Sequence, residues 1–341
     1  LNNDIFDTLE DSMIYLERTD STGKVREGLI GMIDLESYDY NIGSKSLVRA
    51  TEKTVVERIP PRKKVRINAP LELPHIMILI DDEKKEIIES LKNKVTEEDV
   101  IYDFDLMLNG GHSKGYKLSG SVIDEITSKL EALGDMEYFN KKYDVNEEVP
   151  CIYAMGDGNH SLATAKACYE EVKKELGEEE ARNHPSRYAL VELVNIHSDA
   201  LDFEPIHRVI FDCDVEHLLT ALYKRFKINT EGNGQALTYI TSAGEKTIYI
   251  EDPTSNLAVG TLQGFLDEYL QEFAGKIDYI HGDEVTREMG SKQDNIGFLL
   301  PKMEKSDLFK SVILDGALPR KTFSMGHSDD KRFYFECRKI K

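Results

Sequence analysis

Short apolar stretches separated by polar turns run from the start of the chain. Residues 12–18 and 28–35 both read as strands, and Ser21-Thr22-Gly23-Lys24 predicts the turn of a hairpin between them. Residues 73–80 form an apolar run of strand length closed by Asp81 and Asp82, and 84–93 has helical spacing. A second hairpin is predicted over 102–118, with Asn109-Gly110-Gly111 as its turn. Ser121, with Asp124 three residues on, opens a helix whose apolar face is Val122, Ile126, Leu130 and Leu133, stopped by Gly134.

The polar stretch 143–150, ending in Pro150, reads as a boundary. It predicts an N-terminal α+β lobe over 1–145 and an α/β-like lobe over 146–341. In the second lobe, strands are expected at 188–195, 277–280 and twice within 236–250. Helices are expected at 216–225, 262–273 and 306–314. The fold class is therefore α+β, with mixed sheets and helices in two lobes.

The most informative stretch is 151–166. An apolar run, 151–155, stops at Gly156-Asp157-Gly158-Asn159-His160-Ser161, and a helical pattern follows with Leu162, Ala165, Tyr169, Val172 and Leu176 on one face. Strand, tight polar turn and helix mouth make a place where backbone amides and a positive dipole end receive an anion. Asp157 and His160 add an acid and a group that titrates near neutrality. The plainer alternative is a turn in which Asn159 or Ser161 caps the helix. The motif lacks the Gly-Lys-Ser/Thr ending of a Walker loop, and Ser161 stands where the dinucleotide fingerprint needs its third glycine.

Charge narrows the partners. With 43 Lys and Arg against 63 Asp and Glu, the net charge is −20, which argues against nucleic acid or an anionic membrane. The four cysteines, Cys151, Cys168, Cys213 and Cys337, form no Cys-x-x-Cys pair, as expected of a reduced, cytoplasmic protein. No run approaches the roughly 20 apolar residues of a membrane span. The chain starts with Leu1, so a preceding segment is expected.

Against that acidic background, residues 51–68 carry Lys53, Arg58, Arg62, Lys63, Lys64 and Arg66 with only Glu52 and Glu57. This is either a second anion contact or a solvated rim around Pro60-Pro61. Residues 318–327, with Arg320, Lys321 and His327, offer the same choice. His207-Arg208, after Pro205-Ile206, pairs an imidazole with a planar guanidinium fork suited to phosphate, or it pairs locally with Asp202 or Glu204. His75 reads as a core-edge histidine, and His281-Gly282-Asp283 as a short metal-binding or acid–base pair. No histidines share helical metal-ligand spacing.

With these residues in view, the chain resembles the bacterial family called domain of unknown function 1015. The resemblance rests on Arg49-Ala-Thr-Glu-Lys-Thr54, Glu57-Arg-Ile-Pro-Pro-Arg62, Leu73-Pro-His-Ile-Met77, Tyr102-Asp-Phe-Asp105, Gly156-Asp-Gly-Asn-His160, Glu204-Pro-Ile-His-Arg208 and Leu318-Pro-Arg-Lys321. Other branches carry Asp-Gly-His-His-Arg where this chain has Asp157-Gly-Asn-His-Ser161. That variant is similar to the phosphate loop of the ParB and sulfiredoxin-like fold, which includes kinases acting on free serine. The resemblance implies such a core around the turn, with nucleotide phosphates on the loop. Asn159 and Ser161 replace the first His and the Arg, so one cationic ligand is missing, and Arg208, Arg58 or Arg62 is the expected substitute.

The expected function is phosphoryl transfer to a small polar metabolite such as a hydroxy amino acid. Phosphate would sit on Gly156, Gly158, Asn159 and Ser161 with His207, Arg208, Arg58 and Arg62. Asp157, His160 or Glu52 would move the proton, and Asp157 or Asp105 would hold Mg²⁺ accompanying a nucleotide or pyrophosphate. A metal-dependent hydrolase using Asp157, His160 and His207, and a non-catalytic metabolite-binding module, remain open alternatives. Substrate, donor and oligomeric state are not legible.

Overall fold

A computed structural model describes residues 6–41, 43–73, 76–325 and 333–341. His75 and His327 lie outside the described residues. The fold is α+β, in two compact units. The first comprises Leu1–Leu201 with Gly326–Lys341, and the second Asp202–Met325.

The first unit holds β1 (Met13–Thr19), β2 (Val25–Asp34), β3 (Val48–Arg49), β4 (Leu71–Glu72), β5 (Met77–Ile80), β6 (Val100–Asp105), β7 (His112–Leu118), β8 (Tyr153–Asp157) and β9 (Tyr188–Asn195). All but β4 form one mixed sheet in the order β3-β8-β5-β9-β2-β1-β7-β6. The pairs β3–β8 and β5–β9 are parallel, and the other neighbours antiparallel. The helices are α1 (Ile59–Arg66), α2 (Ser121–Ala132), α3 (Met136–Tyr143), α4 (Asn159–Leu176) and α5 (Glu178–Ala181). The period of two sends Tyr15, Leu29, Ile78 and Val191 to one face, where Ile126 and Leu130 of α2 and Leu162, Ala165 and Tyr169 of α4 complete the core. The other face carries a small cluster of Leu16, Ile30 and Leu190 beside buried Arg18, Arg26 and Glu192.

Two expectations give way here. The expected boundary at 145/146 lies inside the first unit, because β8 inserts between β3 and β5 and β9 follows it in the same sheet. The polar stretch before Pro150 is a pinned connection, in which Asn140 Oδ1 accepts the Glu147 amide at 2.8 Å and Asn140 Nδ2 donates to the Glu147 carbonyl at 3.1 Å. The helix expected over 84–93 is only a 3-10 turn at Glu89–Asn93. Asp82 Oδ2 takes the Ile87 amide at 2.8 Å, which competes with helical bonding, while Ile87, Ile88 and Leu91 are drawn into the core.

The second unit holds β10 (Phe203–Phe211), β11 (Ile228–Asn229), β12 (Gln235–Thr241), β13 (Gly244–Ile250), β14 (Lys276–His281), β15 (Ile296–Leu299) and β16 (Phe323–Met325). They form an antiparallel sheet, β11-β13-β12-β15-β10-β14, with β16 beside β10. Its helices are α6 (Val215–Arg225), α7 (Ala258–Glu272), α8 (Asp283–Gly290) and α9 (Asp307–Asp315). A last strand, β17 (Arg338–Lys339), returns to the first unit and pairs with β4. Among the described residues, no helix is long and apolar enough to cross a membrane.

Candidate phosphate site at the mouth of α4

The turn from β8 into α4 needs a single residue outside the strand and the helix. Gly158 supplies it at φ +81°, ψ +20°, in the left-handed region that favours glycine. Gly156 stays within β8 and needs no such freedom. Asp157 Oδ1 accepts the Gly158 amide at 2.7 Å, and the Gly158 carbonyl receives the first intrahelical bonds, from Ser161 at 2.8 Å and Leu162 at 3.0 Å. The amides of Asn159 and His160 therefore open the helix at its positive end, and no acidic residue stands in that first turn.

A strap formed by residues 51–55 crosses this mouth. Thr51 Oγ1 donates to the Met155 carbonyl at 2.7 Å, Asn159 Nδ2 donates to the Glu52 carbonyl at 2.8 Å, and the Val55 amide donates to His160 Nε2 at 3.3 Å. Asn159 is thus a lateral clamp rather than a helix cap, since α4 has no side-chain cap. Its Oδ1 is buried with no hydrogen-bond partner among the described residues. Glu52 contributes its carbonyl, and its side chain is half-buried.

The strap leads into α1, whose Pro60 and Pro61 preset the first turn. α1 lies on α4, with Lys63 paired to Glu171. Arg58 and Arg62 are exposed, and Arg62 Nη1 donates to the Arg58 carbonyl at 3.1 Å. Burial, then the charges of Arg58 and Arg62, push the His160 imidazole below its ordinary value. The Val55 amide bond requires a lone pair on Nε2, so the ring is neutral with its proton on Nδ1. The arrangement offers an anion two amides and two guanidinium groups, beside a neutral imidazole and the carboxylates of Asp157 and Glu52.

The other expected site residues lie elsewhere. Arg208 is fully buried in the second unit, where Nε donates to Gln263 Oε1 at 3.0 Å, Nη1 to the Lys321 carbonyl at 2.8 Å and Nη2 to the Arg320 carbonyl at 3.1 Å. His207, 1% exposed, accepts the Leu300 amide on Nδ1 at 3.1 Å and meets Asp283 Oδ1 through Nε2 at 2.9 Å. With both ring nitrogens engaged, His207 has no free position for a metal. Asp105 sits on β6, six strands from β8, roughly 30 Å across the sheet at strand spacing, so it does not join Asp157 around one ion. It pairs instead with His112 Nδ1 at 2.8 Å.

Among the described residues, Asp81, Glu83 and His197 bring ligand atoms within 4.8 Å of one another. Lys142 Nζ already lies 3.1 Å from Asp81 Oδ1 and 3.4 Å from Glu83 Oε1, and so fills the cation's place. Burial pushes the Asp81 carboxyl up, but bonds from His197 and Tyr143 and the Lys142 charge outweigh it and hold the group below its usual range. This cluster follows the end of β5 away from the loop, because Met77, at the start of β5, pairs with Asp157.

The model of the family described as protein of unknown function (DUF1015) matches residues 1–269. The chain belongs to that family. No curated protein matches this DUF1015 member. Among solved structures, it is similar to a free serine kinase variant in complex with ADP, at 12% identity over 93% of both chains and a TM-score of 0.47. It is also similar to SbnI from Staphylococcus aureus with a C-terminal truncation, at 9% identity over 88% of this chain and 83% of that one, TM-score 0.44. A conserved hypothetical protein from Pyrococcus furiosus matches at 11% identity over 93% and 96%, TM-score 0.41. At these identities and TM-scores the likenesses fix neither activity nor ligand.

Proposed function

We propose that this DUF1015 member is a phosphotransferase that seats a phosphate at the mouth of α4 and transfers a phosphoryl group to a small polar metabolite. The observation that carries this reading is the left-handed Gly158 turn, which opens an acid-free helix start beside Arg58 and Arg62. The Asn159 and His160 amides bind phosphate oxygens, and the two arginines offset the charge that builds up in transfer. Arg58 and Arg62 take the role that the loop's missing cation would have had, and Arg208 is left to its structural bonds. Asp157 or Glu52 accepts the proton of the metabolite's hydroxyl, while His160 acts as a donor through Nδ1.

The test is label transfer from ATP and from pyrophosphate, with Mg²⁺, across a panel of hydroxy metabolites, alongside phosphate-dependent melting shifts. A charge-assisted contact contributes about 1.5–3 kcal/mol. Arg58→Ala and Arg62→Ala should therefore each weaken phosphate binding by roughly ten- to a hundredfold. Stabilisation by ligands without turnover on any substrate would replace the enzyme with a metabolite-binding module. No response to any phosphate would remove the site.

A further inference from the structure

We propose that His160 is the latch of the 51–55 strap, and that protonation of the imidazole releases the strap from the mouth of α4. Three cross-bonds tie the strap to β8 and α4, and of these three the Val55 bond depends on a titratable atom. The Thr51 hydroxyl and the Asn159 amide reach backbone carbonyls, which accept at any physiological pH. The Val55 amide reaches His160 Nε2, which accepts only while the ring is neutral. A proton on Nε2 sets two donors against each other at 3.3 Å, so the bond is lost and the Val55 amide must turn to water.

Burial and the surrounding charges keep the latch closed near neutrality. Arg58 and Arg62 act on the ring from the α1 side, while Glu52 and Lys53 lie on the strap, Glu57 in the 3-10 turn after it, and Asp157 ends β8. The ring's shift runs downward, so burial and the two guanidinium groups outweigh any carboxylate in this set. An arriving phosphate dianion reverses that balance, because its charge offsets the arginines and favours imidazolium. Anion entry and proton uptake then open the strap together, and the imidazolium adds a third cation facing the anion. This role in regulation rests on the phosphate reading of the same site, but the latch itself does not need phosphate to be observed.

The experiment follows the Val55 amide by ¹⁵N–¹H correlation spectroscopy from pH 8 to pH 5 without phosphate, together with the His160 ring protons. The Val55 amide proton should move upfield with the same midpoint as the ring, below 6.5. His160→Gln keeps an acceptor on the side chain and removes the titration, so its Val55 amide should hold one shift across the range. A Val55 amide that stays fixed while the ring titrates overturns the latch, as does an unchanged step in His160→Gln. Because no phosphate is present, the latch and the phosphate site fail separately.

Discussion

Arg26 and Glu192 meet in a two-pronged ion pair, Nε to Oε1 at 2.9 Å and Nη2 to Oε2 at 3.0 Å, between neighbouring strands β2 and β9. Both are buried, and a Cβ on Gly28 would lie 2.6 Å from Glu192 Oε1, so a glycine makes room for the carboxylate. Removing one partner of such a pair leaves a charge without compensation. Glu192→Ala should cost about 3–5 kcal/mol, read from urea unfolding, whereas replacing both residues with apolar ones of similar volume should recover most of it. A loss below about 1 kcal/mol for Glu192→Ala would mean that water reaches the pair.

Gly158→Ala places a Cβ on a residue at φ +81°. The left-handed conformation should cost about 1–2 kcal/mol, and any relaxation tilts the first turn of α4 away from its ligand. The variant should melt at a lower temperature and lose most of the stabilisation by pyrophosphate. Full retention of the pyrophosphate shift would place the phosphate elsewhere.

His207 makes the second unit acid-sensitive. Burial pushes its imidazole below 6.5 and outweighs the opposing pull of Asp283. Below 6.5 the unfolded chain therefore binds more protons than the folded one, and stability is lost as pH falls through the folded value. Hydrogen exchange at the Leu300 amide, which His207 Nδ1 accepts, should report weakening protection from pH 7 to pH 5 after correction for intrinsic exchange. His207→Asn, which can keep an acceptor for Leu300, should flatten that dependence.

The tail seals the outer face of the first unit. Arg338 Nε reaches Glu72 Oε1 at 2.9 Å, the Arg18 guanidinium lies 4.9 Å from the Tyr334 ring, and Phe335 meets Tyr102 edge-on at 4.6 Å. Truncation after residue 332 should lower the first transition in thermal unfolding and expose β6 and β7 to protease. Arg338→Ala should do part of the same, by about 1.5–3 kcal/mol for a charged hydrogen bond. An unchanged melting curve for the truncated chain would make the tail a bystander.

Much of the local structure was legible. Residues 188–195 form β9 as read, because a mostly apolar stretch interrupted only by Glu192 and Asn195 is the ordinary signature of a strand covered on both faces. The hairpin over 102–118 follows from glycine placement, and so does the turn into α4, although it narrows to Gly158 alone because Gly156 stays in β8. What escaped was long-range. The partner of the His160 ring is a backbone amide 105 residues earlier, and an amide leaves no mark in residue identity. The strand order that separates Asp105 from Asp157 and carries β8 into the first unit is likewise invisible in local spacing. His207-Arg208 reads the same in a site or in a core, and burial alone separates the two.

Phe203 and Met325 stand opposite each other on β10 and β16, so the chain enters and leaves the second unit at hydrogen-bonded neighbours. During translation, residues 333–341 emerge only after all of 202–325 have been synthesised. A nascent chain must therefore carry the sheet face bearing Arg18, and Glu72 of β4, without Tyr334 or Arg338 to cover them while a whole second unit is made. The first unit is thus begun first and completed last, with the whole of the second made in between.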